Sequence, residues 1–174
     1  MQKACRYLWS VQGNDGGWHS TTHGILKGGQ SLTPFILWHL LQVDQEVSPC
    51  SGEAVRSALQ FLRRSISESN SDEIPLVLEY PNYAAAYTLR VFRQFGETAD
   101  SIYVHALCEH LIGQQFVAQR GIFPNHPAYG GWGFGETGLP VGTAGHVDIS
   151  HTRRVIQALA DVLPEQHPAL LEGR

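Results

Sequence analysis

The segment Asp148-Ile149-Ser150-His151-Thr152 places a carboxylate and an imidazole three residues apart, where an apolar helical pattern begins. Residues at i and i+3 share a helix face, so the two can work as an acid–base pair. The spacing also serves a plainer end, because Asp is a favoured N-cap and a histidine one turn on can simply pair with it. Glu79, just ahead of another apolar helix, is the second carboxylate that could face a central pocket; otherwise it caps or pairs at the surface. Tyr83 and Tyr87 lie one helical turn apart, Trp38 and Phe92 sit in strongly apolar helices, and Trp132 lies in a Gly-rich stretch. Such rings either line a pocket, where their faces attract cations and apolar groups, or pack as core. Residues 125–136 read as a lid over a cavity or as a loop packed against helix ends. The remaining histidines form no cluster: His19, His23, His126 and His146 fall in loops, and His105 and His110 are five apart, off a common face.

Periodicity supplies the elements that must position these groups. Helices are expected over residues 2–12, 32–42, 52–66, 83–95, 99–119 and 149–162. The second is capped by Ser31, with Pro34 tolerated in its first turn. The third carries Val55, Leu59, Leu62 and Ile66 as its apolar stripe, with Arg56, Arg63 and Arg64 facing out. The first, third and fifth read as amphipathic, whereas the second, fourth and sixth read as apolar nearly all round. Alternation of this kind suits two layers of helices, the inner set covered outside by partners and facing a pocket within; it also suits a solenoid of helix pairs. Residues 74–80 read as an apolar connector, and residues 120–147 as a long Gly/Pro/aromatic loop.

Composition excludes several classes. The chain has 174 residues, 43% of them hydrophobic and 16% charged, which fits one packed domain and not a disordered segment. A net charge of −4 and the absence of a basic stripe argue against nucleic acid. Cys5, Cys50 and Cys108 are odd in number and widely spaced, as expected of reduced thiols. The longest apolar runs fall short of the ~20 residues that span a bilayer, and no basic-then-apolar leader opens the chain. A cytoplasmic location is the expectation.

An internal repeat is legible as well. Tyr7-Leu8, Gln12 and Gly16-Gly17-Trp18 are answered by Leu111, Gln115 and, after an insertion, Gly130-Gly131-Trp132. Ser31-Leu32-Thr33 and Ser150-His151-Thr152 each then open a helix. This pattern resembles the QW motif of squalene-hopene and oxidosqualene cyclases, and is similar to repeats in protein prenyltransferase β subunits. The resemblance covers essentially the whole chain. It implies an all-α fold, an α/α toroid of inner and outer helices around an apolar cavity, with residues 1–174 as a single domain. It further implies an isoprenoid or another elongated apolar ligand, with Tyr83, Tyr87, Trp38 and Trp132 as ligand-facing aromatics and Asp148, His151 and Glu79 as the groups available for acid–base work. Contact with a membrane surface is compatible with such a ligand.

The chain departs from that family at two points. Cyclases of this type protonate an alkene or epoxide from an Asp-x-Asp-Asp motif, whereas here Ser150 and His151 follow Asp148 where acids would stand. Asp148-x-x-His151-Thr152 is similar to a zinc-binding fragment of the prenyltransferases, but the companion Asp-x-Cys is missing. Catalytic zinc takes three protein ligands and His151 is the single candidate, so no cofactor is expected. Six helices also make three pairs, half of the ring that the resemblance implies. Raw apolar edges would then close on a second copy, on a partner, or on more of a longer polypeptide. A non-catalytic helical-repeat module that binds protein is the alternative reading.

Overall fold

A computed structural model describes residues 1–67, 80–136 and 138–173. These are all-α: the helices are α1 (Gln2–Ser10), α2 (Leu32–Leu41), α3 (Gly52–Ser67), α4 (Pro81–Phe95), α5 (Ser101–Gly113), α6 (Ile149–Ala160) and α7 (Pro168–Glu172), with short 3-10 turns between some of them and no strand among the described residues. No helix among the described residues is long and apolar enough to cross a membrane.

The core is organised around α4. It packs against α2, α5 and α6, and its Ala84-Ala85-Ala86 step is fully buried. Three consecutive methyl-sized side chains let neighbouring backbones approach on several sides at once. Leu37, Leu107, Leu111, Val155 and Leu159 fill the space around it. The sixth helix departs from the expected all-round apolar character. Val155, Ala158 and Leu159 are buried, while Ile149 is 89% exposed and Arg153 is in solvent, so α6 is amphipathic. Arg63 differs too: instead of facing out, its guanidinium turns onto the buried carboxylate of Asp100 in a two-pronged contact of 2.7 and 2.8 Å. Asp100 also accepts from Glu97 N and holds the turn that leads into α5.

The repeated residues form the same clasp twice. Gln12 Nε2 donates to Gly16 O and to Ala54 O of α3, each at 2.9 Å. Gln115 Nε2 donates to Gly130 O at 2.9 Å and to Ala169 O of α7 at 3.0 Å. Trp18 Nε1 donates to Leu8 O and Trp132 Nε1 to Leu111 O, both at 2.6 Å, so each indole folds back and satisfies a carbonyl in the last turn of the helix before it. The backbone N–H of each tryptophan is in turn received by a threonine of the following helix, Thr33 or Thr152, at 2.9 Å. Gly16 and Gly130 sit at φ 91° and 77°, and a Cβ at either would lie within 2.2 Å of a carbonyl oxygen, that of Ser57 in α3 or Glu172 in α7. Relative to the second clasp, α7 therefore stands where the start of α3 stands relative to the first.

This pairing explains where the expected elements end. The fifth helix stops at Gly113, not at residue 119, because Phe116 exchanges backbone hydrogen bonds with Gly130 and Gly131. Ile122 and Ala128 form a small second core with Phe116, and Tyr129, Leu139 and Ala144 pack against it. The short α7, begun by Pro168 at its first position and capped by His167, was not expected from periodicity.

Two stability outcomes follow. Gln115→Leu strands two buried carbonyls and is expected to cost about 2–4 kcal/mol in urea unfolding, against about 1 kcal/mol for Gln12→Leu at the wetter clasp. Asp100→Ala removes the carboxylate that half-buried Arg63 and Glu97 N share, at an expected cost of about 1–3 kcal/mol in the same assay.

Candidate functional site

The N-terminal ends of α2, α4 and α6 converge on one cavity of about 290 Å³, lined by Leu26, Ser31, Leu32, Phe35, Tyr80, Tyr83 and His151. That is the small end of the range of roughly 300–1,000 Å³ typical of small-molecule sites. Its wall is almost wholly carbon. Three aromatic rings follow one another along it, Phe35 6.0 Å from Tyr83 and Tyr83 5.6 Å from His151, and Phe134, off the wall, meets the His151 ring edge-on at 4.8 Å.

Asp148 and His151 form a defined pair. The Asp148 carboxylate caps α6 by accepting His151 N at 2.8 Å and also meets the ring at Nδ1, 2.9 Å away. With the Nδ1 proton directed at the carboxylate, the neutral ring presents Nε2 as a pure acceptor. Nε2 is buried and has no hydrogen-bond partner. The capping and pairing roles are thus both real, and they leave one imidazole nitrogen unused. Asp148 itself lies below the usual carboxylate range, chiefly because the His151 side chain donates to it and then because of the His151 backbone N–H. Its side chain is 42% exposed. A solvated carboxylate held ionised is a poor donor of protons to a hydrocarbon.

The tyrosines divide. Tyr83 lines the cavity, and its phenol is pushed well above the ordinary value by burial and by the neighbouring Tyr87, so it remains a neutral O–H group. Tyr87 is 1% exposed and stands behind Tyr83, ring centroids 4.8 Å apart. Trp38 lies elsewhere, buried beneath the Arg90 guanidinium, whose carbon is 4.0 Å from the ring centroid. Trp132 also lies off the cavity, fully buried in the core by its clasp. Residues 125–136 therefore do not cover the cavity as a lid; the segment is anchored inward by Trp132 and by Asn82, which donates from its side chain to Gly133 O and from its backbone to Phe134 O. Glu79 and the connector over residues 74–79 lie outside the described residues.

Periodicity gave no sign of the roles of Tyr80 and Phe134. Tyr80 is the N-cap of α4 with φ 49°, a left-handed conformation that a tyrosine rarely adopts, and its ring meets Phe134 at 5.5 Å. The available signal was Pro81, which bars the preceding residue from right-handed helix. No three His, Cys, Asp or Glu among the described residues stand close enough to hold a metal ion. No family model, curated protein or solved structure matches the chain.

A half-buried histidine of α5, His110, sets an acid limit on this arrangement. Asn82 gives its amide hydrogens to Gly133 O, so its Oδ1 must accept from His110 Nε2, 3.1 Å away. Burial pushes His110 from 6.5 down to about 4. The unfolded chain therefore binds this proton more readily than the folded one, and stability present above pH 6.5 is lost as pH falls toward 4 at up to about 1.4 kcal/mol per pH unit. Urea midpoints measured across that window are expected to fall for the native chain and to fall much less for His110→Gln.

Proposed function

We propose that this chain is a partial α/α ring, akin to the terpenoid cyclases and prenyltransferase β subunits, that holds an isoprenoid-like or other elongated apolar molecule. The observation that carries the reading is the carbon-walled, aromatic cavity at the meeting point of three helix N-termini. The duplicated clasp supports it, since the residues that suggested the family likeness are the ones that join successive helices. Among the described residues no Lys or Arg lines the cavity, as suits an apolar guest.

The same site speaks for binding ahead of alkene protonation. A strong acid of that type must be kept neutral in a dry pocket, which raises a carboxyl; Asp148 is exposed and shifted the other way. Ring closure with a second copy belongs to this proposal as the means of covering exposed apolar side chains such as Tyr7 and Ile149.

The hydrocarbon farnesene, titrated calorimetrically into the protein, is expected to bind with micromolar affinity. Leu32→Trp, which fills the cavity from its wall, should weaken binding at least tenfold without lowering the unfolding midpoint. Absence of binding up to the solubility limit, or an affinity untouched by Leu32→Trp, would remove the cavity as the ligand site and favour the protein-binding alternative.

A further inference from the structure

We infer that the ligand of this cavity is an apolar alcohol, held by a hydrogen bond from its hydroxyl to Nε2 of His151. The inference rests on the apolar-ligand reading above and adds the head group. Its basis is a mismatch in the hydrogen-bond inventory. A buried imidazole nitrogen without a partner forfeits the interaction it had with water, and native proteins rarely leave such an atom unused. Here the ring is held in place by Asp148 on one side and by Phe134 and Tyr83 around it, so Nε2 cannot turn elsewhere for a partner. In the neutral ring whose Nδ1 proton is on the carboxylate, Nε2 is an acceptor. It selects a donor, and a hydroxyl on an otherwise hydrocarbon guest is the smallest group that supplies one.

The backbone at the cavity mouth argues against an anionic head group such as a diphosphate. Helix N-termini attract anions through free N–H groups. At this cavity several of those groups are already committed: His151 N to Asp148 Oδ1, Asn82 N to Phe134 O, and Thr33 N to Gly29 O. No cationic side chain among the described lining residues replaces them. What remains of the three helix dipoles is a mild positive potential, which suits the oxygen of a hydroxyl whose proton points at His151. Nε2 is closed off from solvent in this structure, so the inference requires a neighbouring ring to move aside when the hydroxyl enters. Once there it has no water competing for the nitrogen.

Four probes of one carbon skeleton separate the outcomes: farnesene, farnesol, farnesyl methyl ether and farnesyl diphosphate. Farnesol is expected to bind about 3–10-fold more tightly than farnesene or the ether, the margin of one net hydrogen bond. His151→Phe should abolish that margin, read as the ratio of farnesol to farnesene affinity within the variant. In the native protein the 15N resonance of His151 Nε2 should move upfield with farnesol and stay in place with the ether, a readout that does not depend on the variant folding. Equal affinity for farnesol, its ether and farnesene would overturn the hydroxyl assignment and leave the apolar site standing. Preference for the diphosphate would overturn it in favour of an anionic head. Failure of all four, farnesene included, would sink the apolar site itself and this inference with it.

Discussion

Four groups acting together, a glutamine amide, a glycine carbonyl, an indole N–H and a threonine hydroxyl, join each helix of the motif to the next. Every helix end exposes carbonyls that intrahelical bonding cannot satisfy, and burying them unpaired would cost more than packing returns. The clasp resolves this at two places with the same chemistry. The indole takes the last-turn carbonyl of the preceding helix, the amide ties the turn to the neighbouring helix, and the threonine fixes where the following helix begins. Each tie crosses between elements, so helix positions are set by directional bonds as well as by apolar contact.

That constraint reaches the cavity directly. Thr152 receives Trp132 N, and Asp148 N donates back to Trp132 O, so the first turn of α6 is pinned to the second clasp. His151 lies between those two contacts. Its ring position is consequently inherited from a structural tie whose other end is in the core. Thr33 does the same for α2, beside Ser31 and Leu32 on the opposite part of the wall. Asn82 joins the third helix to the arrangement through Gly133 and Phe134. A pocket with a carbon wall is thus framed by polar bonds that face away from it.

Much of this was legible in the residues. The helices follow from 3.6-residue periodicity, and the repeat was visible because Gln, Gly-Gly and Trp recur in order even where the insertion of residues 116–129 spreads them apart. The Asp148–His151 pair was legible because capping and i,i+3 pairing are local. The failures share a cause. Tertiary ties between remote segments decided them: Phe116 with Gly130 ended α5 early, Asp100 drew Arg63 inward, and Leu111 O took the indole that might have faced a ligand. Helix α7 is too short for a periodic signal, and only its Pro168 and its correspondence to the start of α3 mark it. Aromatic residue type alone could not separate Tyr83, on the wall, from Tyr87, one turn on and behind it.

The chemistry of the pocket turns on which partner the carboxylate keeps. A cyclase acid must be desolvated and free to give its proton to carbon, and its environment must favour the neutral form. Asp148 is instead partly solvated, accepts two hydrogen bonds at the start of a helix, and faces the positive end of that helix dipole. All of these stabilise the anion. The carboxylate therefore contributes orientation, holding the His151 ring at the start of α6. A neutral imidazole with its Nε2 unprotonated can accept a hydrogen bond but cannot protonate an alkene. The proposed binding reading, recognition of a guest by one polar atom at the end of an apolar body, asks for fixed geometry and for no strong acid.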